Sequence, residues 1–324
     1  MLKILYAAGN TLNSKIQLSR FLQAIEGQDY LVKIAAYKLS SPSVNIDWTL
    51  DCLHNYYDNR KTYLDSEYFI SYYNHVKHFS PDLVISDLEY FTSYIANDLN
   101  ISLWQCSSSM LNFGLSWNEK YSTNIYSNYS FLTNRRNNQK YANIIDNSNL
   151  NLVYSHFGDI ETPPQLKKGF EWIRPYHYLG HNSVPCQHNV VAAVLGSNKK
   201  IINSLNKLSD SIMFSPFDGE KYSNLIIKDI DNTGEYACNL KNCNLFVCEG
   251  QTSFLADAFY NNKFTVVLPN LKDTECIINS MYSEKIKLSQ NMYSGLDINQ
   301  VNILPVKYIL NDKIDYLHER LEKI

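Results

Sequence analysis

Glycine is scarce, 11 among 324 residues. That excludes a collagen-like or glycine-rich low-complexity chain and makes each turn glycine a marked position. Cysteine occurs seven times, an odd number without framework spacing. A disulfide scaffold is thereby excluded, and a reducing compartment, the cytoplasm, is the expected location. No run of about 18 apolar residues exists, so no membrane-spanning helix and no integral membrane contact is expected. Residues 1–10 lack the long apolar core and cleavage site of a signal peptide and read as a first buried strand. Positive charge is not in excess: 29 Lys and Arg stand against 32 Asp and Glu, a net charge of −3. Binding of nucleic acid through global charge is excluded, while a local basic track stays open.

What is present is an ordinary globular composition, 45% hydrophobic and 19% charged, with 25 tyrosines. The length suits two domains of about 150 residues each. In the first, apolar runs at residues 2–8, 30–37, 83–86, 101–105 and 152–156 alternate with helical patterns. The helix expected over 14–25 carries Ile16, Leu18, Phe21, Leu22 and Ile25 on one broad stripe. A long tyrosine-rich helix is expected over 46–79, and the asparagine-rich piece 134–151 reads as a surface excursion. A second series follows Pro185. Its strands are expected at 190–195, 212–214, 225–227, 245–247 and 266–268, with helices over 199–208 and 253–260. Residues 312–324 read as a charged amphipathic helix. Strands apolar on both faces, alternating with helices, imply parallel sheets covered on both sides. Such halves place a ligand cleft at the strand C-termini. The boundary is placed within 176–188. This gives domains 1–183 and 184–310 and a C-terminal helix, 311–324, that is a candidate to cross back onto the first domain.

Chemistry concentrates in the second half. Cys248-Glu249-Gly250-Gln251-Thr252-Ser253 joins a strand to a helix. Gly250 permits a close backbone approach or a positive φ. Thr252 and Ser253 can cap the helix, and its free N–H groups suit a phosphate or diphosphate. The plainer alternative is a strand-to-helix turn with a Thr/Ser cap. Further on, a strand ending in Pro269 leads to Asp273, Glu275, Cys276 and Asn279 at a helix start. Ionised carboxylates there can accept hydrogen bonds from sugar hydroxyls, or simply favour a helix N-terminus.

Residues 244–287 resemble the donor-binding region of GT-B glycosyltransferases, especially the MurG-like and UDP-glycosyltransferase-like proteins. Gly250 matches the turn glycine and Ser253 the small polar position. Asp257 matches the helix acid that in the family commonly binds the donor ribose. Asn262-Lys263-Phe264 stands where Gly-Lys-Pro usually stands, Glu275-Cys276 stands where Glu-Gln or Asp-Gln touches the donor sugar, and Asn279 matches the Asn. Pro81 to Glu89 is similar to the family's central N-domain strand and acidic turn. The resemblance implies an α/β architecture of the GT-B type: two Rossmann-like, doubly wound domains with an interdomain cleft. The first would bind the acceptor and the second the nucleotide-sugar. It implies a hexosyl- or pentosyltransferase that inverts the sugar on moving it to an acceptor hydroxyl. A nucleoside diphosphate sugar is the co-substrate, and no prosthetic group is needed. Donor contacts are then expected at Gly250, Gln251, Thr252, Ser253, Asp257, Asp273 and Glu275.

The chain departs from the family at its first turn. Relatives often end that turn in a histidine that serves as general base; here it reads Gly9-Asn10-Thr11-Leu12-Asn13-Ser14. Asp87 and Glu89 become the candidate bases, because a carboxylate within reach of an acceptor hydroxyl can take its proton. The alternative is that one or both cap the helix from Tyr90. His156, at a strand end, is a third candidate. Asn10, Ser14, Arg135 and Arg136 are expected on the acceptor side. The stretch 117–141 interleaves aromatics with Arg135, Arg136 and Lys140, a pattern that can stack on sugars or bases and meet phosphates. With an AT-rich, phage-like composition, it admits hydroxymethylcytosine in DNA as the acceptor, beside a glycan or a small molecule. His75, His78, His177, His181 and His188 have no carboxylate or cysteine spaced to complete a site, so no metal is expected. Cys238, Cys243 and Cys248 are expected as buried thiols. Two rival readings are a non-catalytic nucleotide or sugar binder on the same fold and a sugar-nucleotide epimerase.

Overall fold

The computed structural model describes residues 1–38, 44–54, 64, 66–116, 135–177, 188–195, 199–208, 210–216, 222–230, 233–271, 273–293, 296, 298–306 and 313–324. These residues build two parallel sheets. The first contains β1 Leu2–Ala7, β2 Tyr30–Ala36, β3 Trp48–Thr49, β4 Leu83–Ser86, β5 Ser102–Ser107, β6 Leu150–Tyr154 and β7 Phe170–Ile173, in the order β3-β2-β1-β4-β5-β6-β7. The second contains β8 Val190–Ala193, β9 Ser211–Ser215, β10 Leu225–Asp229, β11 Leu245–Cys248, β12 Thr265–Val267 and β13 Ser289–Asn291, in the order β10-β9-β8-β11-β12-β13. The helices are α1 Leu12–Ala24, α2 Asp51–His54, α3 Glu67–Phe79, α4 Tyr90–Asp98, α5 Met110–Gly114, α6 Arg135–Asp146, α7 Lys199–Leu205, α8 Thr233–Asn242, α9 Thr252–Tyr260, α10 Thr274–Lys285 and α11 Leu317–Leu321.

Strand order reverses between β1 and β4 in one sheet and between β8 and β11 in the other. Crossovers diverge at such points and leave a crevice at the strand C-termini. The register sets what faces it. Ala7 lies opposite Ser86, so Ala8 and Gly9 leave β1 beside Asp87; Ala193 lies opposite Cys248, so Val194 leaves β8 beside Glu249.

Helix α1 is a layer shared by both halves. Thr11 caps it by accepting from the Ser14 N–H at 3.0 Å. Leu18, Phe21 and Ile25 pack with Ile4 and Tyr6 of the first sheet, whereas Ile16 packs with Phe246, Phe254 and Leu255 of the second half. The expected single stripe is thus divided between two cores. That is why the polar residues Asn13, Ser14, Lys15, Gln17 and Arg20 are buried as well. At the other end of the chain, Leu317 and Leu321 of α11 enter the core of the first sheet.

Three expectations are corrected. The long helix over 46–79 is instead β3, α2 and α3, with 55–63 and 65 outside the described residues; Trp48 and Thr49 are drawn into edge pairing with Ala35 and Ala36. The excursion over 134–151 is instead α6 and the start of β6, because Ile144 and Ile145 are apolar enough to bury against Met110 and Val153. Within the tail, α11 is only Leu317–Leu321, and 307–312 lie outside the described residues. Strands β7 and β13 and helix α8 had no place in the expected order.

Candidate active site

The first crevice holds Asp87. Its carboxylate accepts from the Ser14 and Ser107 hydroxyls and the Gly9 N–H, yet burial still pushes it above the usual carboxylate range. A Cβ on Gly9 would lie 2.9 Å from both the Asp87 carbonyl oxygen and Ser14 Oγ, so only glycine fits there. Leu88 follows with φ +50°, a strained left-handed conformation for a leucine. It turns Asp87 and Glu89 to different fates. Glu89 accepts from the N–H groups of Phe91 (3.1 Å) and Thr92 (2.7 Å) and from the Tyr37 hydroxyl (3.1 Å). Glu89 is therefore the cap of α4, the alternative weighed for it, and its carboxylate is committed to the helix end. His156 is 1% exposed. It lies between the Phe157 and Phe259 rings, and burial pushes its imidazole down to about 3.

The second crevice is filled by the chain itself. Gly250 has φ +98°, and a Cβ there would stand 2.7 Å from the Cys276 carbonyl oxygen. The glycine thus serves the close approach of α10. Thr252 and Ser253 do not cap α9: Gln251 occupies the cap position without a side-chain cap bond. Thr252 N–H instead donates to Glu275 Oε1 at 3.0 Å, and Ser253 Oγ donates to Asn13 Oδ1 at 2.9 Å. A carboxylate 23 residues further on supplies the missing cap. Asn279 Nδ2 donates to the Gly250 carbonyl and to Thr252 Oγ1, at 3.0 and 2.8 Å. Asp273 caps α10, accepting from the Glu275 N–H at 2.9 Å.

Asp257 faces no open groove. It is 0% exposed, ion-paired with Arg20 at 2.7 Å, and accepts from the Tyr236 hydroxyl at 3.0 Å. A ribose contact would require breaking this buried pair.

Two pairs of adjacent residues join the crevices. Ser14 donates to Asp87, while Asn13 Nδ2 donates to Glu275 Oε1 at 2.9 Å. Ser107 donates to Asp87, while Ser108 Oγ donates to Glu275 Oε2 at 2.6 Å. Two carboxylates, one from each half, are held by residue pairs 13/14 and 107/108. Burial, then the neighbouring Asp273 charge, pushes the Glu275 carboxyl up to about 7. Sequence reasoning missed Asn13, Ser108 and Arg20. Arg20 alone left a trace, a long cation among the apolar positions of α1.

Asn10 is half-buried in the first turn. Arg135 and Arg136 open α6, but their side chains, and residues 117–134, lie outside what is described. Among the histidines, His188 pairs with Asp210 at 3.0 Å and His177 stacks on Tyr260, with ring centres 3.8 Å apart; His181 lies outside the described residues. Among the described residues no three His, Cys, Asp or Glu side chains gather as a metal site. Burial pushes the thiols of Cys243 and Cys248 up to about 11 and about 12, and Cys238 is buried too. No described helix is long and apolar enough to cross a membrane.

No protein-family pattern matches the chain, and no curated protein sequence matches it. Solved structures do. The spinosyn forosaminyltransferase SpnP is 14% identical with a TM-score of 0.55, over 93% of this chain and 87% of that one. SsfS6, a glycosyltransferase of Streptomyces sp. SF2575 complexed with thymidine diphosphate, is 14% identical with a TM-score of 0.56, over 90% of this chain and 88% of that one. The spinosyn rhamnosyltransferase SpnG complexed with spinosyn aglycone is 10% identical with a TM-score of 0.56, over 90% and 87%. The chain has the GT-B fold. In this GT-B molecule the two crevices are the C-terminal edges of its two parallel sheets. The pairs 13/14 and 107/108 cross from the first to the second.

Proposed function

We propose that the chain is a glycosyltransferase that moves a sugar from a nucleoside diphosphate to an acceptor hydroxyl. One observation carries the reading: Asp87 of the first crevice and the α9 N-terminus of the second are tied to one place through 13/14 and 107/108. In the reaction the acceptor oxygen attacks the anomeric carbon. The bond from that carbon to the diphosphate oxygen breaks, and its electron pair leaves with the diphosphate. The acceptor proton passes to Asp87. Burial raises the proton affinity of Asp87, and Ser14, Ser107 and Gly9 fix its direction, both of which favour a general base. The departing charge would be met by the first-turn N–H groups of α9 and the Thr252 and Ser253 hydroxyls. Glu275, once free of Thr252, would accept from a donor-sugar hydroxyl, with Gln251 alongside. Asn10, in the turn that leads to Ser14, would meet the acceptor.

The diphosphate of the SsfS6 complex and the aglycone of the SpnG complex favour a nucleoside diphosphate donor and a small-molecule hydroxyl acceptor. Nothing among the described residues favours modified DNA as acceptor. The test is release of nucleoside diphosphate from a panel of nucleotide sugars, with small-molecule hydroxyl acceptors and hydroxymethylated DNA as parallel arms. Asp87→Asn is expected to lower turnover about 10²–10⁴-fold while donor binding persists. Full turnover in that variant would remove Asp87 as the base. Donor binding with no turnover in the parent protein would favour the non-catalytic binder.

A further inference from the structure

We infer that Glu275 is a resident anion at the N-terminus of α9, which a donor diphosphate must displace, and whose departure parts the two halves at that end; this rests on the donor reading above. Four donors converge on its carboxylate: the Thr252 N–H, Asn13 Nδ2 and Ser108 Oγ, at 3.0, 2.9 and 2.6 Å, and the Thr252 hydroxyl. A backbone N–H at a helix start, a side-chain amide and a hydroxyl are the partners a phosphoryl oxygen takes. The position thus has the chemistry of an anion site and already holds an anion. A second observation points to a larger ligand. Asn279 Oδ1 and Gln251 Oε1 are buried without a hydrogen-bond partner, in residues 1% and 3% exposed. The other amide atom of Asn279 is bonded to Gly250 and Thr252, so its orphaned oxygen belongs to this corner. Both acceptors would be satisfied by hydroxyl donors.

Glu275 also works as a staple. Its partner Thr252 lies in the second half, whereas Asn13 and Ser108 lie in the first. One carboxylate therefore closes the crevice and occupies the ligand position together. Burial and the facing Asp273 charge make its protonation near neutral pH inexpensive, which eases its exit.

The test is calorimetric titration of uridine and thymidine diphosphates into the parent protein, Glu275→Gln and Glu275→Ala. Sugar-free diphosphates are used so that loss of a sugar contact cannot mask the effect. At least tenfold tighter binding by either variant is expected. Faster hydrogen exchange at the Thr252 amide is expected in Glu275→Ala without ligand. Ser108→Ala, which removes one of the staple's two first-half bonds without removing the charge, is expected to tighten binding two- to fivefold and covers the case in which the Glu275 variants fail to fold. Equal or weaker binding by the variants, with clear binding by the parent, would overturn the inference and leave the donor reading standing. No binding by any folded protein would overturn both.

Discussion

The two ends of helix α9 meet the first half of the molecule in different ways. At its N-terminus the contacts are single hydrogen bonds: Ser253 to Asn13, and Asn13 and Ser108 to the half-buried Glu275 that caps the helix at Thr252. At its C-terminus they are buried ions. Asp257 pairs with Arg20, with side chains 0% and 3% exposed. One turn on, the Tyr260 hydroxyl donates to Asp159, which Arg174 grips with two bonds of 2.9 and 3.0 Å. A single hydrogen bond contributes about 0.5–1.5 kcal/mol net, or about 1.5–3 kcal/mol where one partner is charged. Stripping one partner from a buried ion pair costs about 3–5 kcal/mol. The difference teaches where this interface can give: at the bonds from Asn13 and Ser108 to Glu275, with the Arg20–Asp257 end as the pivot.

The largest expected effect tests the pivot. Arg20→Ala removes the cation paired with the buried Asp257 carboxylate. Urea denaturation should show a loss of about 3–5 kcal/mol. A loss below about 1 kcal/mol would make the two ends equivalent and break the comparison. The smallest effect sharpens the releasable end. The folded-state carboxyl of Glu275 is raised from 4.5 to about 7. Between those values the native state binds more protons than the unfolded one, so stability falls as pH rises through that window. Asp87 and Glu89, also raised by burial, act in the same direction. The Glu275 share is therefore the difference from Glu275→Gln: the parent protein's melting temperature should drop more between pH 5 and pH 8 than that of the variant. Parallel curves would show that Glu275 is not the titrating group.

The same contrast separates what the sequence revealed from what it hid. Strand β4 and its acidic turn were legible because the apolar run Leu83 to Ile85 is followed, after Ser86, by Asp87 and Glu89. The start of α9 was legible from Gly250 and the hydroxyl pair behind it. The occupants of the crevice were not. Asn13 and Glu275 lie 262 residues apart, and neither belongs to a local pattern that requires the other. Gly250 was marked correctly as a close approach, but a sequence does not say what approaches; here it is the Cys276 carbonyl. Asp257 matched a binding position, yet its partner is Arg20 of another half, a pairing fixed only when α1 is shared between two cores. Strand β13, Ser-Gln-Asn, is an edge strand of three polar residues and carries no hydrophobic signal to read.

The most direct measurement is a crystal structure of the protein grown with thymidine or uridine diphosphate. The account predicts the diphosphate within hydrogen-bond distance of the Thr252 and Ser253 amides, with Glu275 withdrawn and Arg20 still paired to Asp257. A diphosphate bound elsewhere, with Glu275 still holding Thr252, would contradict it.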